Sequence, residues 1–282
     1  MIEVKPLQNL QATVTVPGSK SYTNRALLIA GLTDGECRLE KPLVSDDTKY
    51  MIRALKAFGI SVQEEQEAFI VSGSGGKLST PEEDIFIGNA GTTMRFLTTF
   101  SALAPGKIRL DGDERMHQRP LADLLDCLTQ MGVKAVSANG NGCPPIDIAG
   151  GEVPGGDIQL AGDKSSQYLT SILLSAPYFK DDTCIHIQGD LTSKSYADIT
   201  LDIMKTFGVH VDNESYQRFK VKAGDYYKAQ TYQVESDWSS ASYFLAAAAV
   251  TGGEVTLTGI NPHSVQGDAQ FTFHQKKKKK KK

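Results

Sequence analysis

The chain has 282 residues, 40% of them hydrophobic, enough to build one large domain or two smaller ones. Its net charge of −3 conceals seven consecutive lysines at 276–282; the other 23 basic residues face 33 acids, so the body is acidic and implies no nucleic-acid-binding surface. The longest uncharged small and apolar run, 241–250, is half a membrane span, and the start of the chain carries Glu3 and Lys5 without the apolar core of a signal peptide, so a soluble cytoplasmic protein is expected.

Periodicity gives the first elements in order. Residues 11–16 alternate like a strand, 20–31 read as a helix with Ala26, Leu27 and Ala30 inward, and 36–39 form a short strand. A second helix follows over 46–58, with Ser45 or Asp46 as N-cap and Met51, Ile52, Leu55 and Phe58 on one face. Gly59 ends it, and two strands follow at 60–63 and 69–71, so the unit is βαβαββ.

That unit recurs. The turns Pro17-Gly18-Ser19-Lys20-Ser21, Asn89-Ala90-Gly91-Thr92-Thr93, Gly162-Asp163-Lys164-Ser165-Ser166 and Ser236-Asp237-Trp238-Ser239-Ser240 each run into an apolar stretch. Their last hydroxyls lie 72, 73 and 74 residues apart. A second landmark, Phe58-Gly59-Ile60, Met131-Gly132-Val133 and Phe207-Gly208-Val209, repeats at 73 and 76 residues. A fourth copy of it falls near position 282, where the lysines stand, so the fourth repeat is incomplete. The expectation is a closed three-repeat domain over 17–235, with 1–16 and 236–275 as parts of a second body and 276–282 as an appended, disordered tail.

Each repeated turn places hydroxyls, small residues and often a cation at a helix start, where free N–H groups and the helix dipole favour anions. Lys20, Arg25, Arg95, Arg119 and Lys164 sit in or near these turns, concentrating positive charge in an otherwise acidic chain. No GxxxxGK[ST] loop is present, against a P-loop nucleotide triphosphatase. Cys37, Cys127, Cys143 and Cys184 show no CxxC spacing and read as reduced thiols. The five histidines show no HExxH or HxH pattern, so neither metal nor cofactor is expected. Several anion sites without a metal suggest a polyanionic small-molecule substrate.

Val16-Pro17-Gly18-Ser19-Lys20-Ser21 with Arg25, Gly88-Asn89-Ala90-Gly91-Thr92-Thr93-Met94-Arg95, Gln118-Arg119-Pro120 and Asp163-Lys164-Ser165-Ser166-Gln167-Tyr168, in this order and spacing, resemble the bacterial 5-enolpyruvylshikimate-3-phosphate synthase family over residues 1–268. The resemblance implies an α/β fold of the inside-out barrel type, with much of the second domain missing. It also implies a monomeric transferase that moves the enolpyruvyl group of phosphoenolpyruvate onto the 5-hydroxyl of shikimate 3-phosphate. Carried over by motif, Ser21 and Arg25 hold the shikimate ring and carboxylate, and Ser165, Ser166 and Ser193 its 3-phosphate. Gly91 and Arg119 receive phosphoenolpyruvate, while Lys20 and Gln167 lie between the substrates. Lys20 is the catalytic candidate; Asn89, Thr92 and Tyr196 complete the set as loop organisers or ligand contacts.

Departures from the family pattern limit that reading. The family's acid/base Asp, its neighbouring Lys and Glu, and a second set of basic phosphoenolpyruvate-binding residues belong to the second domain and have no counterpart here. Asp237 and Asp268 lie outside those motifs. The chain therefore reads as an enolpyruvyl transferase sequence or as a non-catalytic module that binds shikimate 3-phosphate. The sibling transferase acting on a UDP-aminosugar is disfavoured, because Glu114 stands where that relative carries a reactive cysteine.

Overall fold

The computed structural model of the chain describes residues 10–271. Expectations for residues 1–9 and 272–282, the lysine tail among them, lie outside the described residues. The first repeat contains β1 (Gln11–Thr15), α1 (Lys20–Leu32), β2 (Glu36–Glu40), α2 (Asp46–Ala57), β3 (Ser61–Glu64) and β4 (Ala68–Ser72). These bounds differ from the sequence reading by about one residue, the usual fraying of element ends. The second repeat holds β5 (Ile85–Phe86), α3 (Gly91–Ser101), β6 (Gly106–Asp111), α4 (Ala122–Gln130), β7 (Lys134–Ser137) and β8 (Ile146–Gly150). The third holds β9 (Gly156–Ala161), α5 (Ser166–Ser175), β10 (Thr183–Gln188), α6 (Lys194–Thr206), β11 (Val211–Glu214) and β12 (Arg218–Val221). A partial fourth provides β13 (Thr231–Gln233), α7 (Trp238–Thr251) and β14 (Glu254–Thr258).

Three four-stranded sheets share one plan. Their orders are β13-β2-β4-β3, β5-β6-β8-β7 and β9-β10-β12-β11, in each case one parallel pair followed by two antiparallel pairs. In the first sheet the parallel outer strand comes from the fourth repeat, with Thr231 opposite Arg38 and Gln233 opposite Glu40. The strand this displaces, β1, pairs in parallel with β14 instead, Gln11 opposite Glu254 through Thr15 opposite Thr258. The chain crosses between these regions where 17–19 and 235–237 run side by side, Ser19 N–H donating to Glu235 O and Asp237 N–H to Pro17 O.

Strand alternation decides which sheet face meets the helices. In β10, Thr183, Ile185 and Ile187 are buried while Cys184 and His186 face outward. Inside the sheets, α1, α3 and α5 are apolar or small on nearly every side and pack on one another. Helices α2, α4 and α6 bury one face each, α2 against α1 and α3, α6 against α1 and α5. Helices inside and sheets outside make the α/β architecture of repeated βαβαββ units that the sequence pattern predicts.

Ser45, rather than Asp46, caps α2: its hydroxyl accepts from Thr48 N–H while Thr48 Oγ1 accepts from Ser45 N–H. The repeated glycine signature closes each outer helix by one device. Gly59, Gly132 and Gly208 have φ of 85°, 79° and 90°, and the next residue donates back to a helical carbonyl: Ile60 to Leu55, Val133 to Leu128 and Val209 to Met204. One continuous core runs from Tyr22 to Val234; a smaller buried cluster comprises Val16, Trp238, Ala241 and Ala269.

Candidate active site

The inner helices α1, α3 and α5 begin at Lys20, Gly91 and Ser166, so their first turns carry the free N–H groups that suit anions. Side chains tie these starts together. Lys20 Nζ lies 3.0 Å from Asp47 Oδ2 on α2, and Thr93 Oγ1 donates to Asp47 O at 3.2 Å. Gln167 bridges the other two helices: its Oε1 accepts from Arg95 at 2.5 Å and its Nε2 donates to Thr92 Oγ1 at 3.3 Å. Tyr168 OH donates to Pro120 O at 2.6 Å, fixing the loop that carries Arg119 against α5.

Arg119 and Gly91 meet. A Cβ built on Gly91 would stand 2.2 Å from Arg119 Nη1, so the guanidinium occupies the space that only glycine leaves open. Among the described residues, the half-buried guanidinium of Arg119 has no hydrogen-bond or ion-pair partner, while its backbone N–H donates to Met116 O at 3.0 Å. Two residues before Gly91, the buried Oδ1 of Asn89 likewise has no partner among the described residues. A cation and a helix N-terminus facing one spot form a site for a compact anion.

Arg25, expected at the shikimate carboxylate, is buried and bonded to its neighbours. It is 1% exposed, and its donors go to Thr200 Oγ1 at 2.9 Å, Ser21 O at 2.8 Å, Tyr196 O at 3.2 Å and Thr170 Oγ1 at 3.3 Å. Its guanidinium also stacks 5.2 Å from the centroid of Phe96. Among the described residues no carboxylate pairs with it, and burial pushes its pKa down to about 10, which leaves it charged at neutral pH. In this geometry Arg25 fastens the Ser21 and Tyr196 backbones, and through them the mouth of the third repeat.

Ser165 caps α5, its Oγ accepting from Gln167 N–H at 3.2 Å; Ser166 is buried directly behind it. Ser193 precedes α6 in a left-handed conformation, φ 54° and ψ 48°, and is exposed. A non-glycine residue held there has its local backbone strain offset by the surrounding fold. Ser21 and the partly exposed Tyr196 line a cleft of about 90 Å³ that Asp237, Ser239 and Asp268 also line. Asp237 caps α7 through Ser240 N–H, and Asp268 accepts from Ser239 Oγ at 2.5 Å.

Lys20, Gly91, Thr92, Arg119, Ser165 and Gln167 are thus linked around the starts of three helices, whereas Ser21, Ser193 and Tyr196 sit by the third repeat's α6. Sequence reasoning missed Asp47, Thr170 and Thr200, and named Thr93 only as part of the repeated turn. Asp47 reads locally as an acid complementing the first turn of α2, and only the fold brings Lys20 to it. Thr170 and Thr200 carry no local signal, because they matter through a residue at least 145 positions away.

The family profile of EPSP synthase (3-phosphoshikimate 1-carboxyvinyltransferase) matches residues 4–279. Relatives named 3-phosphoshikimate 1-carboxyvinyltransferase include one from Sulfurovum sp. (strain NBC37-1), 47% identical over 274 residues, and one from Pseudoalteromonas translucida (strain TAC 125), 44% identical over 273. Each match covers 96% of this chain but 64% of the relative, so the chain spans less than two thirds of their length. The solved structure of EPSP synthase from Acinetobacter baumannii superposes with a TM-score of 0.81 at 26% identity, covering 91% of this chain and 58% of that one. The chain belongs to the EPSP synthase (3-phosphoshikimate 1-carboxyvinyltransferase) family.

Proposed function

We propose that residues 17–235 form the shikimate 3-phosphate-binding domain of an enolpyruvyl transferase, and that 1–16 with 236–275 belong to its second domain. The observation that carries this reading is the unpaired Arg119 against Gly91 at the start of α3, a ready anion site one helix away from the Ser165-Ser166 turn. Two anion sites at neighbouring helix starts suit two substrates that each bear phosphate and carboxylate. Ser165, Ser166 and Ser193 take the 3-phosphate of shikimate 3-phosphate. Ser21, Tyr196 and, behind them, Arg25 take the ring and its carboxylate. Gly91, Arg119 and Asn89 receive phosphoenolpyruvate, with Thr92 and Gln167 setting the spacing.

In the complete protein the 5-hydroxyl oxygen attacks the enol carbon of phosphoenolpyruvate, whose methylene gains a proton as the hydroxyl loses one. The new methyl group then gives up a proton as phosphate leaves, restoring the enolpyruvyl double bond. Lys20, held by Asp47, stabilises the charge that develops as phosphoenolpyruvate is attacked. The reading places this work in the cytoplasm, in a monomer, with no cofactor or metal in the chemical step. Residues 17–235 by themselves bind substrate without turning it over, because acid/base groups contribute ~10²- to 10⁴-fold each and turnover needs both domains to close around the substrates.

Calorimetric titration of shikimate 3-phosphate into the chain and into Ser166→Ala tests the assignment. A loss of about 1 to 3 kcal/mol is expected for removing a hydrogen bond to a charged group. Equal affinity in the two proteins would overturn the placement of the phosphate, and phosphate release from both substrates by residues 17–235 alone would overturn the claim that turnover needs both domains.

A further inference from the structure

The outer face of the third sheet carries a side-chain cluster that the proposed reaction does not use. In the parallel pair β9 and β10, Cys184 stands directly opposite Asp157, and His186 lies two residues further along β10 on the same outward face. Their donor atoms converge. His186 Nε2 is 2.9 Å from Asp157 Oδ1 and 3.5 Å from Cys184 Sγ, and the three ligand atoms all lie within 4.8 Å of one another. We propose that Asp157, Cys184 and His186 form a binding site for a thiophilic divalent transition-metal cation such as zinc, with a fourth position open to water.

Geometry favours this over a plain surface hydrogen bond. Tetrahedral zinc with Zn–S of ~2.3 Å and Zn–N of ~2.05 Å separates sulfur and nitrogen by about 3.6 Å, close to the separation observed. The nitrogen–oxygen distance needs to open by about 0.5 Å to meet the same geometry, and Asp157, with its side chain 77% exposed, is free to swing. One imidazole nitrogen faces both a carboxylate and a thiol, two groups that a cation draws together once the thiol and Nε2 have lost their protons. The neighbouring charges permit it. Arg218, opposite His186 on β12, pairs with Glu214, and Lys220, opposite Cys184, lies 3.4 Å from Asp182; each added positive charge is thus offset by an acid. Sequence patterns overlooked the site because a Cys-x-His pair on a strand matches none of the common spacings, and its third ligand lies on another strand.

Bound metal would clip β9 to β10, the strands that lead into the Ser165 and Ser193 turns. The test is titration of Co²⁺ into the reduced full chain, followed by displacement with Zn²⁺. Expected are a thiolate-to-cobalt charge-transfer absorption in the near ultraviolet and the visible bands of four-coordinate cobalt, both removed by zinc. Cys184→Ser should abolish the charge-transfer band and Asp157→Asn should weaken Co²⁺ binding at least about tenfold, at the scale of metal-site losses. Cys143→Ser should change neither. Circular dichroism checks that the variants fold, and the exposed Asp157→Asn keeps the test decisive if Cys184→Ser does not. Absence of the charge-transfer band in the folded parent chain, or its persistence in Cys184→Ser, would overturn the proposal, as would unchanged affinity in Asp157→Asn.

Discussion

Helices α3 and α7 begin from equivalent repeated turns, yet they live in different surroundings. In α3, Met94, Phe96, Leu97 and Phe100 are all buried, and Phe100 packs edge-on against Phe58 at 5.2 Å. In α7 only Trp238 and Ala241 are buried, while Tyr243 and Val250 are 77% and 84% exposed. α7 is the more apolar of the two around its circumference, a pattern suited to burial on all sides, whereas α3 mixes its apolar residues with four threonines and Arg95. The difference teaches that repetition alone does not bury a unit; what does is a neighbour on each face, which the three repeats provide for one another and which α7 does not have among the described residues.

Substitutions can break that comparison. Phe100→Ala should cost about 3 to 5 kcal/mol in urea unfolding, the range for emptying an aromatic core position. Val250→Lys should stay within about 0.5 kcal/mol, because the side chain is exposed and a cation near a helix C-terminus is favourable. A large loss at Val250 would mean that α7 is buried in solution after all.

Smaller effects are expected at the helix ends. Gly132→Ala should cost about 1 kcal/mol for the left-handed backbone alone, since the nearest atom to a new Cβ is 3.9 Å away. Gly59→Ala should cost about 1 kcal/mol more, because its Cβ would stand 2.6 Å from Ser79 Oγ. Equal losses would show that Ser79 moves aside. At the surface, the bidentate bond from Arg109 holds the Asp147 carboxyl below its ordinary value of 3.8. A depressed folded-state pKa stabilises the fold above the unfolded value, and that contribution is lost as the pH falls through the folded one. Asp147→Asn should therefore remove a small part of the acid sensitivity below about pH 4, less than about 1 kcal/mol because both partners are exposed. An unchanged acid profile would assign that sensitivity to other carboxylates.

Much of this was legible in the sequence where the signal is local. The period of the turns, the glycine that stops each outer helix and the alternation of the strands are set by residues within one unit, and the structure repeats them. Pairing partners were not legible: nothing in 11–16 says that β1 joins β14 while β13 takes the place beside β2. At the site, Gly91, Arg119, Ser165 and Gln167 stood out through their motifs. The roles of Asp47 and Thr200, and the burial of Arg25, arise from contacts between repeats that no local pattern records.

The central claim is that, among the described residues, the three repeats bury one another's inner helices and α7 is left largely exposed. Native-state hydrogen exchange tests it most directly, by comparing amides in the middle of α3 and α5 with those in the middle of α7. The account predicts that α3 and α5 exchange only through global unfolding of the three-repeat core, while α7 exchanges orders of magnitude faster through local opening. Protection in α7 equal to that in α5 would contradict it.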